Sequence, residues 1–180
     1  SHVQPEPRRS NIAWCVNQTC RSTAGTSIVK AQSMGWQTSG RWPAAVLLTL
    51  LLHYLWEMVQ APLFTTFVDV SFWSHALPCF WAALGDVVIA LCAYASAAAA
   101  FRRPAWLFTH RWQGPFVICL LVGLLITIAF EHYALATRRW NYTQAMPTIA
   151  GVGLSPLAQW VVVPALTLFL LQCWRSRSAL

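Results

Sequence analysis

The chain has 180 residues, of which 57% are hydrophobic and only 9% are charged, and its mean hydropathy is +0.51. Soluble globular domains carry roughly 25% charged residues, so this composition excludes that class and predicts an integral membrane protein. Twelve Lys and Arg against five Asp and Glu give a net charge of +7. Membrane topology accounts for such an excess, and we expect no nucleic-acid partner.

The N-terminal segment differs in composition from the rest of the chain. Residues 1–41 are rich in Ser, Thr, Asn, Gln and basic side chains and contain no long apolar run. Segments that cannot bury apolar surface stay disordered. We therefore predict a disordered basic cytoplasmic tail over 1–41.

Four apolar stretches follow, at about 44–64, 76–101, 114–137 and 154–174. Each reaches the roughly 20 residues that a helix needs to cross a bilayer. The connections between them are short, which favours neighbouring antiparallel helices. The sequence thus predicts an all-α fold, a polytopic antiparallel four-helix transmembrane bundle over 42–175, with a short cytoplasmic tail at 176–180.

Basic residues indicate the orientation of the bundle. Ten of the twelve lie before the first stretch, between the second and third, or after the fourth. Because loops rich in Lys and Arg stay cytoplasmic, we expect both termini on the cytoplasmic side of the membrane. Arg138 and Arg139 are the exceptions, at the outer end of the third helix, and we interpret them as contacts for an anionic group.

Three of the five acidic residues, Glu57, Asp86 and Glu131, lie in three different apolar stretches. A carboxylate in a spanning helix costs about 2.5–3.5 kcal/mol on insertion scales, so such residues usually face one another, water or a substrate. At 1.5 Å per residue, Glu57 and Asp86 lie about 5 Å outward of their helix midpoints, Gln159 about 7 Å and Glu131 about 8 Å. We predict one polar cluster that opens to the outer side.

Helical spacing supports an inward orientation of these side chains. His53, Glu57 and Gln60 fall at i, i+4 and i+7 on one face of the first helix, and Glu131 and Arg138 share a face of the third. If these faces turn inward, the bundle encloses a cavity for water or a ligand.

Carboxyl groups in unlike surroundings can serve as general acid and general base. We predict Glu57 and Glu131 as that pair, Asp86 as an orienting or metal-binding group and His53 as the partner of Glu57. Arginine grips phosphate or carboxylate in a fork, which suits an anionic head group on a lipid-like molecule. The predicted substrate-binding residues are Gln60, Arg138, Arg139, Trp140, Asn141, Tyr142 and Gln159.

Other interpretations use the same residues. The carboxylates can be structural, with Glu57 paired to His53 and Asp86 bonded to a Trp indole. One imidazole and three carboxylates also suit Mg²⁺, Mn²⁺ or Zn²⁺, but no HExxH or paired ExxH motif supports a metal site, and no cofactor is identified. A non-catalytic protein remains the alternative function: an assembly partner, or a proton-coupled carrier that would have to form a homo-oligomer to build a path.

Several sequence blocks carry a resemblance. HYLWEMVQAPLF, HALPCFWAALGD, RRWNYTQAMP and GLSPLAQW resemble an uncharacterised family of small four-helix bacterial inner-membrane proteins, which implies a topology and no activity. Glu131, Trp140, Tyr142 and Pro156 are more loosely similar to the layout of the lycopene cyclase domain. That domain has paired glutamates after its Pro, where this chain has an Ala–Gln pair ending at Gln159, so the resemblance implies a lipid or isoprenoid-like substrate and no cyclase activity.

Overall fold

The computed structural model describes residues 41–109 and 111–177. In these ranges the chain forms four long helices, which we number α1 to α4: Arg41–Gln60, Ala76–Phe101, Gln113–Ala136 and Leu154–Arg177. All four are long and apolar enough to cross a membrane. The four predicted helices are confirmed, and α4 continues two residues into the predicted C-terminal tail. The predicted N-terminal tail, apart from Arg41, and residues 178–180 lie outside the described residues.

Helix α1 ends at Gln60, four residues before the predicted end. The 3₁₀ turn Ala61–Leu63 follows, with Pro62 at its start. Proline lacks the backbone N–H that the next helical turn would need and clashes with the preceding turn, so the α-helix stops here. Two further 3₁₀ turns, Thr65–Phe67 and Phe72–His75, lead into α2.

Small residues bring α2 and α3 together in the half of the bundle that we call the inner half, near the end of α2 and the start of α3. Ala93 and Ala97 of α2 are fully buried beside Cys119 of α3. The segment between the two helices adds Trp106, which stacks on Tyr94 with ring centroids 5.3 Å apart. Alanines and aromatic rings thus form a tightly packed core in the inner half.

A glycine sets the approach of α3 to α4. A Cβ built on Gly123 would lie 2.5 Å from Cζ3 of Trp160, closer than real Cβ atoms come to a neighbour. The indole therefore lies directly on the α3 backbone, and this close approach requires glycine. Trp160 is 1% exposed as a result.

A small β-hairpin joins α3 to α4 and corrects the all-α prediction. Strand β1, Thr148–Ile149, pairs antiparallel with β2, Val152–Gly153. The two residues between the strands, Ala150 and Gly151, both have positive φ, 51° and 81°. That is the backbone of a type I′ turn, whose twist matches a hairpin. Two-residue strands are too short to show an alternating pattern, so they could not be predicted from the sequence.

Candidate functional site

A cavity of about 680 Å³ lies in the opposite, outer half of the bundle, where α1 ends and α2 begins. All four helices contribute polar groups to its wall, while aromatic and aliphatic side chains form most of the remaining surface. The polar groups on the helices are Glu57, Gln60, Asp86, Thr127, Glu131 and Gln159. The predicted convergence of polar residues from four helices is therefore present in the structure as one cavity.

Gln159 of α4 links two of the three carboxylates. Its side-chain nitrogen lies 3.1 Å from Oε1 of Glu57, 2.9 Å from Oδ2 of Asp86 and 2.9 Å from Nδ1 of His53. The two carboxylate oxygens are therefore at most about 6 Å apart. Gln159 is 2% exposed, so a single buried amide connects α1, α2 and α4.

The orientation of the Gln159 amide follows from the hydrogen bonds of its neighbour Gln60. The indole N–H of Trp56, which can only donate, lies 3.2 Å from Oε1 of Gln60. The Ser155 hydroxyl donates to the same oxygen at 2.8 Å. The Gln60 nitrogen then donates to Oε1 of Glu57 at 2.7 Å and to Oε1 of Gln159 at 3.3 Å. The Gln159 oxygen is thereby occupied as an acceptor, and its nitrogen has to face the carboxylates.

The Gln159 amide has two N–H bonds, and three polar atoms surround its nitrogen. One of them, Oε1 of Glu57, also accepts from Gln60. The two N–H bonds of Gln159 can therefore serve Oδ2 of Asp86 and Nδ1 of His53. Nδ1 also lies 3.4 Å from Oδ2 of Asp86, so His53 and both carboxyl groups form one connected set of hydrogen-bonding groups.

Glu131 of α3 belongs to a second set of hydrogen bonds. Its Oε2 accepts the Trp140 indole N–H at 3.2 Å and the Tyr142 hydroxyl. The Tyr142 oxygen in turn accepts the backbone N–H of Gly153 at 3.0 Å, so the hairpin holds the phenol in place. Oε1 of Glu131 has no hydrogen-bond partner within the described residues. One oxygen is anchored, and the other is available to a ligand in the cavity.

Tyr142 lies in the loop after α3, outside the membrane-spanning helices. Burial and the hydrogen bond to Glu131 together raise the pKa of its phenol above the usual range. The phenol therefore stays protonated at physiological pH. It remains a donor to Glu131 throughout that range.

Most of the predicted site residues meet at the cavity. Besides the helical groups, Arg139 and Trp140 also line it. His53 is completely buried and does not line the cavity, and its contact with the other groups runs through Gln159 and Asp86. Tyr142 acts on the cavity through its hydrogen bond to Glu131.

Besides Tyr142, two predicted binding residues lie outside the cavity lining. Arg138 follows the end of α3 with φ 55°, a left-handed conformation, so the seven-residue spacing from Glu131 no longer holds one helical face. Its side chain is exposed. Asn141 contributes its backbone carbonyl, which accepts the Thr65 N–H at 2.9 Å, and thus joins two loops.

Sequence reasoning missed several contributing residues. Trp56 stands four residues before Gln60, a helical spacing that could have revealed their contact. Ser155 had no such signal, because it reaches Gln60 from another helix. Thr127, by contrast, belongs to the Glu131 face that helical spacing predicts for α3. It is 6% exposed and lines the cavity, and its hydroxyl has no hydrogen-bond partner among the described residues.

Within the described part of the chain, no group of three or more His, Cys, Asp or Glu side chains is arranged to hold a metal ion. Comparison of the chain with protein-family models, with curated proteins and with solved structures finds no match. The resemblance drawn from the sequence blocks therefore stays a prediction. The functional argument rests on the geometry of the cavity.

Proposed function

We propose that this chain is a multi-pass protein of a bacterial inner membrane, with both termini cytoplasmic, that performs acid/base chemistry on a lipid or isoprenoid-like molecule. One observation carries the proposal: an apolar cavity of about 680 Å³ whose wall bears carboxyl groups from three different helices. Ligand cavities are typically apolar, with a few converging polar groups that orient the ligand and react with it.

The two hydrogen-bond sets suit different roles. Glu57 shares the Gln159 amide with Asp86, and two carboxyl groups at one donor favour a proton on one of them, so Glu57 serves as the general acid. Glu131, with one oxygen anchored by Trp140 and Tyr142, serves as the base on the other side of the ligand. A proton given by Glu57 and one taken by Glu131 leave the total charge of the site unchanged. Asp86 and His53 then act as positioning residues.

A non-catalytic role is the second candidate. The hydrogen bonds of Gln159 join three helices, and interhelical polar contacts of this kind also hold membrane proteins together, at about 0.6 kcal/mol each. An assembly partner would need nothing more. A proton-coupled carrier would need a path through the inner half, where Ala93, Ala97 and Trp106 are packed closed.

The experiment compares purified wild type with Glu57→Gln, Asp86→Asn and Glu131→Gln. Thermal unfolding in detergent is measured for each, together with mass spectrometry of the lipids and small molecules that copurify. The proposal expects variants that unfold within a few degrees of wild type but retain a different set of molecules, such as an accumulated substrate. Variants that unfold early or do not accumulate, with no change in bound molecules, would assign the carboxylates to structure.

A further inference from the structure

The outer end of the cavity is covered by two loops that are joined to each other. Phe64 and Phe67, which follow α1, line the cavity there together with Arg139 and Trp140, which follow α3. The backbones are linked by the Thr143 N–H, which donates to the Leu63 carbonyl at 2.9 Å, and by the contact of Thr65 with Asn141. Paired backbone and aromatic rings thus cover the outer end of the cavity, where the sequence predicted an opening.

The exposed part of the lining lies instead between the outer halves of α2 and α3. Trp81 and Val88 of α2 are 64% and 60% exposed, and Phe130 of α3 is 45% exposed, although all three line the cavity. Between the α2 residues stands Gly85, where an added Cβ would meet no atom within 4 Å. This gap extends about 10 Å along α2. It lies within helices apolar enough to cross a membrane, so in a bilayer it faces acyl chains.

Arg139 supplies a positive charge at the roofed end of this gap. Its guanidinium lies 5.5 Å from the ring centre of Tyr133, on the outer end of α3. Within the described residues no carboxylate oxygen lies within 4.0 Å of the Arg139 guanidinium. A cation at the end of an apolar gap is complementary to an anionic head group that carries an apolar chain.

We propose that the cavity takes a single-chain amphiphile sideways from the lipid, through the gap between α2 and α3. Its anionic head group, phosphate or carboxylate, binds Arg139, and its chain lies along Trp81, Gly85 and Val88. This inference deepens the proposed function by naming the substrate class, and it rests on that function only for the chemistry that follows binding. Binding itself needs neither Glu57 nor Glu131 to react.

The test measures binding in nanodiscs of zwitterionic lipid. A long-chain alkyl phosphate, a fatty acid and an alcohol of matched chain length are titrated, each with a brominated chain that quenches tryptophan fluorescence. We expect at least one anionic probe to bind about tenfold or more tighter than the alcohol, as a charge-assisted hydrogen bond would give. The tighter of the two anionic probes identifies the head group. Equal binding of all three probes would overturn the head-group assignment.

Neighbouring residues provide matched controls. Arg139→Gln should abolish the preference for the anionic probe, while Arg138→Gln, adjacent but outside the cavity lining, should keep it. Gly85→Leu should fill the gap and weaken binding about tenfold, whereas Ala95→Leu adds the same bulk to an exposed position on α2 and should not. Gly85→Val serves if the leucine variant does not accumulate. If both arginine variants, or both leucine variants, behave alike, the inference is wrong.

The two proposals fail in different ways. Probe binding can depend on Arg139 and Gly85 while the carboxylate variants leave all copurifying molecules unchanged. That result would support the lateral binding site and refute the acid/base chemistry. Conversely, the carboxylate variants can change the copurifying molecules while substitutions of Gly85 and Arg139 leave probe binding unchanged. That result would support the chemistry and refute the lateral amphiphile site.

Discussion

At the scale of single residues, Gln159 is the group on which the site depends most. Its nitrogen is within hydrogen-bonding distance of His53, Glu57 and Asp86, and its oxygen accepts from Gln60. Removing this amide would leave two half-buried carboxylates with fewer donors, and an unsatisfied polar group that is fully buried costs about 1–3 kcal/mol, more if charged. The position therefore matters for stability as well as for the proposed chemistry.

We predict that Gln159→Leu lowers the free energy of unfolding by about 3 kcal/mol. Gln172→Leu provides the control, since Gln172 lies on the same helix and makes a single bond to the Leu107 carbonyl at 3.1 Å. Gln172→Leu should lower the free energy of unfolding by about 1 kcal/mol. Denaturant unfolding in detergent measures both variants, and equal losses would contradict the role of Gln159 as a shared donor.

Tyr142 gives a prediction about pH. The pKa of Tyr142 is raised in the folded protein. The phenol therefore loses its proton at a lower pH in the unfolded chain, at its ordinary pKa of about 10. The stability it contributes is complete below that pH and is lost as pH rises above it. A spectroscopic titration of tyrosinate, with Tyr142→Phe as reference, should show no contribution from Tyr142 near its ordinary pKa. A Tyr142 signal there would refute the account.

At the scale of elements, the helices meet in two different ways on the two sides of α3. Helix α3 packs tightly against α4, because Trp160 of α4 lies on Gly123 of α3. Against the outer half of α2 there is a gap at Gly85, while the inner halves of the same two helices pack on alanines. The cavity thus lies beside the part of α2 that contains Gly85, and Ala93 and Ala97 of α2 lie in the inner half.

The two glycines should respond in opposite ways to the same substitution. Gly123→Ala forces Trp160 to move and should cost about 1–3 kcal/mol, the usual cost of overpacking. Gly85→Ala meets open space and replaces a flexible helical residue, so it should raise stability by about 0.5–1 kcal/mol. Thermal unfolding of both variants measures this contrast. A stable Gly123→Ala variant would mean that α3 and α4 are further apart than described.

The elements also show how far the sequence can predict this fold. Continuous apolar stretches predicted all four helices, and counting along them placed the polar groups at one level. The hairpin escaped prediction because its strands have two residues each, and its turn uses an alanine at positive φ that no pattern indicates. The lateral opening was not predicted either, because the exposure of Trp81 and Gly85 depends on how the helices pack in three dimensions.

At the scale of the whole molecule, the bundle is asymmetric between its two halves. The inner half is packed with alanines and aromatic rings, and the outer half holds the cavity with its carboxyl groups. From the charge pattern of the loops we predict that the inner half lies on the cytoplasmic side. The cavity would then take molecules from the outer leaflet.

This orientation can be tested with single cysteines in a chain whose six native cysteines have been replaced. Asp69→Cys lies in the loop between α1 and α2 and should react with a membrane-impermeant maleimide added to the outer face of intact cells. Arg103→Cys, between α2 and α3, should react only after the inner membrane is opened. The reverse pattern would invert the topology and place the cavity on the cytoplasmic side.

The central claim is that buried carboxyl groups line a cavity that opens to lipid, and carbodiimide labelling tests it most directly. A hydrophobic carbodiimide that reaches carboxyl groups through lipid should modify Glu57, Asp86 or Glu131, as located by peptide mass spectrometry, and Gly85→Leu should reduce the reaction. A water-soluble carbodiimide should modify Asp69 in the exposed loop and spare the three. Modification of the three by the water-soluble reagent alone, or by neither reagent, would contradict the account.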